Sequence, residues 1–300
     1  STGAPRAPRE PRASREPQAS DLDGLLRLAL RAARQAATEI LAVYAGDFAV
    51  DLKADSTPVT EADRRASQAI EELLREGPSY PFLGEEGTEI PYETRRGWRR
   101  FWLVDPLDGT KEFVKRNGEF TINIALIEQG QPLLGVVYAP VADLAYFAHR
   151  DLGAYRCEGF GRQDPDAGLQ DLLAACARLP RRQPLDLSPG RRYPVLRVMC
   201  SRSHRNARYD AYLEWLREHH AERIELRVLG SALKSCVVAE GQADLYPRFG
   251  RTMEWDMAAA HAVVRAVGLR IASLDTGSLD TGEELTYNKP DLGNPSLLVC

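Results

Sequence analysis

Residues 101–113, FWLVDPLDGTKEF, end an apolar run in two aspartates, Asp105 and Asp108, set three apart around Pro106 and followed by Gly109 and Thr110. Proline has no N–H to give to a sheet ladder, so a strand reaching Asp105 is predicted to stop and turn there. The turn frees the Leu107 carbonyl from sheet pairing, and Asp105, that carbonyl and Asp108 can then converge on one point. Hard oxygen donors with no His or Cys among them suit Mg²⁺ over zinc or copper. Gly109 permits close backbone approach to a ligand, and a helix starting near Thr110 would aim free N–H groups at a phosphate. The string predicts a corner for a metal and a phosphate together.

Other acids stand where they can join such a corner. In PFLGEEG, Glu85 and Glu86 lie between glycines after a short apolar run, a pattern that equally suits a surface turn. In EWDMAAAHAVVRAVG, Asp256 is at the mouth of an alanine-rich helix closed by Gly268, where Asp is also a favoured N-cap. Asp63, three residues after Thr60 in TEAD, fits a capping box. A helix start beside the metal corner would use Asp63 in both ways.

The elements that must position these groups are legible in outline. Leu22, Leu25, Leu26, Ala29, Ala33, Ala36, Ile40 and Tyr44 recur at helical spacing between a capping Asp21 and Gly46. A second helix is predicted from Thr60 to just before Gly77. RFWLV reads as a strand, FTINIALIEQGQPLLGVVYAP as two strands around Gln129-Gly130-Gln131, and LAYFAHRDLGAYR as a hairpin. Residues 161–194, rich in Pro, Gly, Asp and Arg, are the best crossing between halves. Beyond them strands and helices alternate, from VLRVMCS through RYDAYLEWLREHH, IELRVLG, SALKSCVVAEG and ADLYPRF to the helix of Asp256, as in an α/β unit. The expected organisation is a tail over 1–20, an α+β domain carrying the corner over 21–186, and an α/β domain over 187–300.

Composition narrows the function classes. Of 300 residues, 44% are hydrophobic and 27% charged, as in a soluble globular enzyme, and a net charge of -4 gives no electrostatic case for nucleic acid. The five cysteines are odd in number, widely spaced and without a CxxC pair, so neither a disulfide framework nor a zinc site is indicated. Free thiols suit a reducing, cytoplasmic setting. No apolar run approaches the ~20 residues of a membrane span. The opening STGAPRAPREPRASREPQAS has almost nothing to bury and reads as a disordered tail. Its prolines would break the amphipathic helix of a transit peptide.

Taken in order, G-E-E, W-L-V-D-P-L-D-G-T and W-D before a helix resemble the inositol-monophosphatase-like superfamily of Mg²⁺-dependent, lithium-sensitive phosphatases, over most of the chain after residue 21. The strings DGTKEFVKRNGEFTINIAL, GVVYAPV, SRSH, GSALK and VAEGQADLYPRFG are similar to its 3′(2′),5′-bisphosphate nucleotidase branch, the CysQ type. Gly84 departs from the serine frequent before the glutamate pair, and DLGNPSLLVC is a divergent ending. The D-x-D-G-T pattern of haloacid-dehalogenase phosphatases does not fit, because its acids lie two apart on one face of an extended segment.

The resemblance implies a layered αβαβα sugar-phosphatase fold. It implies one Mg²⁺ on Glu85, Asp105 and the Leu107 carbonyl, and a second on Asp105, Asp108 and Asp256, with Asp105 bridging. Gly109 and Thr110 would grip the scissile phosphate, and Asp63 and Thr110 would orient the attacking water, with Glu85 counted in the same catalytic set. No phosphoenzyme is implied, since such a two-metal site activates water directly. Ser201, His204, Ser231, Lys234 and Arg248 add positive charge and donors for a second anchor, which a substrate with phosphates at both ends needs. Lys53 would be a further phosphate contact. His204 also suits a cap on the following helix, and Lys234 a solvated helical face. The implied reaction is hydrolysis of the 3′-phosphate of adenosine 3′,5′-bisphosphate, and of its 5′-phosphosulfate relative, to AMP and phosphate in sulfate assimilation. Peripheral association with the cytoplasmic membrane face is compatible with the resemblance. The alternatives are an inositol monophosphatase of broad specificity and a catalytically silent nucleotide-binding module.

Overall fold

The structure, a computed structural model, describes residues 19–52, 58–87, 89–275 and 282–300. The apolar stripe that begins at Leu22 forms α1 (Ala19–Ala45), which starts two residues before the expected Asp21. The hairpin β1 (Val50–Leu52) and β2 (Pro58–Thr60) leads into α2 (Glu61–Leu74). Then come β3 (Phe82–Gly84), α3 (Tyr92–Arg95), β4 (Arg100–Asp108), α4 (Thr110–Val114), β5 (Thr121–Glu128), β6 (Gln131–Ala139), β7 (Leu144–His149) and β8 (Gly153–Glu158). The expected crossing contains α5 (Leu169–Ala174) and β9 (Ala177–Arg178). After it follow β10 (Tyr193–Ser201), α6 (Ala207–His219), β11 (Ala221–Leu229), α7 (Leu233–Glu240), β12 (Tyr246–Arg248), α8 (Glu254–Ala266), β13 (Ile271–Ser273) and β14 (Leu297–Val299).

Strands β3 to β9 form one seven-stranded sheet in chain order, antiparallel except where β3 runs parallel to β4. Its strands are apolar on both faces because both are covered. Trp102, Val104, Ile122, Ile124 and Val136 pack with Leu26, Ala33, Ile40 and Ile70 of α1 and α2. The alternate residues Phe101, Leu103, Ala125, Ile127 and Val137 pack with Ala258, Ala259 and Val263 of α8. Gly135 lets α8 approach closely, since a Cβ there would lie 2.3 Å from the Ala259 carbonyl oxygen.

The second sheet is assembled from non-consecutive strands. β10 and β11 run parallel, β14 sits between β12 and β13, and a parallel bridge from Val198 to Leu245 joins the two groups. One face, with Met199, Tyr246 and Val299, packs on α7 and α8. The other, with Leu196, Val198 and Leu298, packs on Tyr209, Leu213 and Leu216 of α6. The layers therefore run helix, sheet, helix, sheet, helix, the fold class read from the sequence. Among the described residues no helix is long and apolar enough to cross a membrane.

Two local expectations are corrected. The strand does not stop at Asp105: β4 continues through Asp108, which pairs with Thr121, and the register shifts between the two aspartates. Pro106 removes a ladder bond, and the strand answers with a bulge rather than an end. Asp256 is not the N-cap of α8. Met253 holds that position, and Asp256 reaches back from the first turn to accept the Met253 N–H at 2.8 Å.

Candidate active site

The bulge in β4 turns its aspartates into a corner. Asp105 is 1% exposed, and its Oδ1 accepts the Leu107 N–H at 3.0 Å, which folds the Asp-Pro-Leu turn back on the carboxylate. Asp108 leaves the end of β4, with Asn123 Nδ2 donating to its Oδ2 at 3.4 Å. α8 brings Asp256 to the same place, and Asp105, Asp108 and Asp256 each offer an oxygen within 4.8 Å of the others. Glu85 follows β3, its N–H donating to the Val104 carbonyl at 3.1 Å, so the glutamate turn is tied to the strand that carries Asp105.

Electrostatics say what this cluster would hold. Burial first, then the charges of Glu85, Asp108 and Asp256, pushes Asp105 well above the usual carboxylate range. Burial pushes Asp108 up to about 6, although the Lys234 ammonium pulls against it. Burial, then the Asp108 charge, pushes Asp256 up to about 8. Like charges forced together out of water hold protons unless a cation neutralises them. An all-oxygen donor set of this charge fits a hard divalent ion.

Behind the corner stands a second arrangement. Thr60 caps α2, and both its N–H and its hydroxyl donate to Asp63 Oδ2, at 2.7 and 2.6 Å. The other oxygen, Oδ1, accepts the Thr110 hydroxyl at 3.2 Å. The capping box and the contact to Thr110 thus use different oxygens of one buried carboxylate. Gly109, at φ 95° and ψ 41°, precedes the five-residue α4 in the left-handed conformation, where a Cβ is disfavoured.

A single pocket is lined by Glu85, Asp105, Leu107, Asp108, Gly109 and Thr110 on one side of the sequence, and by Ser201, His204, Ser231, Lys234, Arg248 and Asp256 on the other. Asp63 stands behind Thr110 rather than on the wall. Lys53 lies outside the described residues. Lys234 is not a solvated helical residue: it is 5% exposed, and its Nζ donates to the Ser231 carbonyl. Nor is His204 a cap, since Asn206 caps α6 and accepts the Tyr209 N–H at 3.0 Å. Burial and then the Arg248 charge hold His204 down to about 4, so it is neutral at pH 7.

The second half of the wall is built to meet an anion. Ser231 Oγ and Arg248 Nε are buried without a hydrogen-bond partner. Ser231 sits at φ 49°, a conformation non-glycine residues avoid, and such strain collects at binding sites. The preceding loop is clamped by Glu119, which accepts the Gly230 N–H and the Arg202 Nε–H, each at 2.8 Å. Lys111, Glu112, Tyr246, Arg251 and Thr252 also line the pocket and were not singled out from the sequence. Lys111 and Glu112 directly follow the DGT string, which was the available signal. For Arg251 and Thr252 there was none.

Residues 21–297 match the inositol monophosphatase family. The 3′(2′),5′-bisphosphate nucleotidase CysQ of Shigella flexneri is 44% identical over 261 residues, covering 86% of this chain and 94% of that protein. Its Escherichia coli counterpart is 43% identical over the same coverage. The crystal structure of CysQ from Bacteroides thetaiotaomicron superposes with a TM-score of 0.78 at 43% identity, covering 92% of this chain and 97% of that one. With the family matched across nearly the whole described fold and relatives above two-fifths identity, the chain belongs to the inositol monophosphatase family.

Proposed function

We propose that this protein is a Mg²⁺-dependent 3′(2′),5′-bisphosphate nucleotidase that hydrolyses the 3′-phosphate of adenosine 3′,5′-bisphosphate to AMP and phosphate. The 5′-phosphosulfate relative is a second substrate in this reading, which gives the enzyme a cytoplasmic role in sulfate assimilation. The observation that carries it is one pocket holding both a carboxylate trio and a buried Lys234–Arg248 pair, with the Ser231 Oγ and Arg248 Nε donors unpartnered. The relatives' printed activity points the same way.

Glu85, Asp105, the Leu107 carbonyl, Asp108 and Asp256 would hold the ions. When bound, Mg²⁺ supplies Lewis acidity and neutralises charge on the transferring phosphoryl group. The chain's own residues do the rest. Asp63 takes the Thr110 proton in a hydrogen bond, which leaves the Thr110 oxygen lone pairs facing the pocket to accept from the attacking water. Thr110 and Gly109 set that water in line with the bond from phosphorus to the 3′-oxygen. As water adds to phosphorus and that bond breaks, a water proton passes through the Thr110 hydroxyl to the Asp63 carboxylate. The departing 3′-oxygen takes a proton from a second water to become the hydroxyl of AMP, the hydroxide so formed taking back the proton held on Asp63. Lys234, Arg248 and the Ser231 hydroxyl hold the distal phosphate and orient the nucleotide.

Phosphate release from adenosine 3′,5′-bisphosphate, with inositol 1-phosphate alongside and EDTA as control, tests the proposal. Efficient Mg²⁺-dependent release from the nucleotide supports it. Nucleotide binding without release would mean a silent binding module, and a preference for inositol 1-phosphate would mean an inositol monophosphatase.

A further inference from the structure

The cysteines are widely spaced in the sequence, yet the fold sets two of them face to face. β9 pairs with β8 through Tyr155↔Arg178 and Arg156↔Ala177, and the Leu179 N–H donates to the Ala154 carbonyl at 2.8 Å. One step further along the same antiparallel register, Cys176 stands directly opposite Cys157. Bonded and unbonded pairs alternate along such a ladder, so with Leu179 bonded to Ala154 the two cysteines form an unbonded pair. Cys176 agrees, since its N–H turns away from β8 to the Leu173 carbonyl at 3.2 Å. Cα atoms at an unbonded pair lie about 4.5 Å apart, with the side chains drawn close. A disulfide spans Cα separations of about 4.4–6.8 Å, so the backbone need not move to form one. Both thiols are free, and each is the other's hydrogen-bond partner.

The surroundings favour reaction. The hydrogen bond from the Cys176 thiol holds Cys157 below the ordinary thiol range against its burial, and the Arg34 guanidinium pulls the same way. The shared proton pushes Cys176 up in turn. The pair therefore gives up one proton readily and keeps the other, which leaves one thiolate to attack. Arg34 Nε donates to the Phe160 carbonyl at 3.2 Å, while its Nη2 is buried without a hydrogen-bond partner. Cys157 is fully buried and Cys176 only partly, so an oxidant enters from the Cys176 side.

We propose that Cys157 and Cys176 are a redox-active dithiol, which a hydroperoxide or a small-molecule disulfide closes into a cross-strand disulfide that locks β9 to β8. With hydrogen peroxide, the thiolate of the pair bonds to one oxygen and the O–O bond breaks. The leaving hydroxide takes the remaining thiol proton and becomes water. The second thiolate then attacks the sulfenic sulfur, the S–S bond forms, and a second hydroxide leaves to be protonated by solvent. The two sulfurs are oxidised by two electrons and the peroxide is reduced. With oxidised glutathione, a mixed disulfide forms first and the second sulfur displaces the remaining glutathione thiolate. The link closes a loop over residues 157–176, with α5 inside it, at the start of the crossing between the halves. Only two residue pairs otherwise hold β9 at this end of the large sheet. Neither cysteine lines the pocket, so the lock leaves the metal corner untouched.

Peptide mapping of the full chain after treatment with oxidised glutathione or hydrogen peroxide, with alkylation before digestion, tests this. Trypsin cuts after Arg156, Arg162 and Arg178, so the disulfide joins two otherwise separate peptides, residues 157–162 and 163–178. That linked pair is expected in the oxidised chain and lost on adding dithiothreitol, while the buried Cys200, Cys236 and Cys300 stay unlinked. Closing a loop of this size is expected to raise Tm by about 5 °C. Phosphate release is expected to survive oxidation. Cys157→Ser, with circular dichroism as a folding control, is expected to keep one glutathione on Cys176, whereas Cys176→Ser should leave the buried Cys157 unmodified. A wild-type chain with no linked peptide, with Cys176 joined to another cysteine, or with glutathione retained on Cys176 would overturn the dithiol. A link that leaves Tm unchanged, or that removes phosphatase activity, would overturn the lock.

Discussion

Asp256→Asn in metal-free protein is expected to stabilise the fold while abolishing turnover. Burial and the Asp108 charge raise Asp256 from the ordinary 3.8 to about 8. An acid raised by folding keeps a proton that the unfolded chain has released. Its contribution to stability therefore declines as pH rises from 3.8 and levels off above about 8. For one proton the slope is ~1.4 kcal/mol per pH unit. Between pH 6 and pH 7.5 the wild-type chain should lose ~2 kcal/mol relative to the variant, or ~4 °C in Tm for a chain of this size. Asparagine still accepts the Met253 N–H, so the start of α8 is kept and only the charge is removed. Thermal unfolding of both proteins in EDTA across this pH range gives the gap directly. Saturating Mg²⁺ should narrow the gap, since at a hundred times Kd an ion adds ~2.7 kcal/mol to the protein that binds it. A gap independent of pH, or a wild-type chain more stable than the variant in EDTA at the alkaline end, would refute the account of mutually repelling buried carboxylates that need a cation.

Asp105→Asn and Asp108→Asn should each abolish Mg²⁺-dependent phosphate release with the circular dichroism spectrum unchanged; near-normal activity in either removes the metal-corner reading. Thr110→Ala should lower kcat by ~10²–10⁴ with little change in KM, and Thr110→Ser should restore most of it; steady-state kinetics showing a KM effect alone would contradict the water-orienting role. Lys234→Ala and Arg248→Ala should each reduce kcat/KM for the bisphosphate ~10-fold to somewhat over 100-fold, corresponding to ~1.5–3 kcal/mol, with little change for inositol 1-phosphate. Burial holds Lys234 down to about 8, so the wild-type KM for the bisphosphate should rise as pH passes that value and the ammonium is lost; parallel losses on both substrates would mean these residues support the corner instead. Gly135→Val should destabilise by ~1–3 kcal/mol or more in chemical denaturation, because its Cβ would meet the Ala259 carbonyl at 2.3 Å and α8 would have to move.

What the sequence by itself determined is the local chemistry. Pro106 and Gly109 act on the backbone within a residue or two of themselves, so the turn that gathers Asp105, Leu107 and Asp108 was readable from types and spacing. The stripe of α1 and the capping box at Thr60 and Asp63 were readable for the same reason, since each depends on neighbours within a turn or a few turns of helix. Tertiary structure decided the rest. That β4 bulges past Pro106 instead of ending depends on Thr121 of β5 pairing with Asp108. Lys234 is buried, and not a solvated face, because the pocket wall closes over α7. Asp256 reaches the aspartate corner because α8 packs across the large sheet through the gap at Gly135. Nor does the order of the second sheet, with β14 between β12 and β13 and β11 left at the edge, follow from periodicity. Periodicity reports which side of an element is apolar, whereas partners, register and open edges are set by which distant surfaces fill one another's volume.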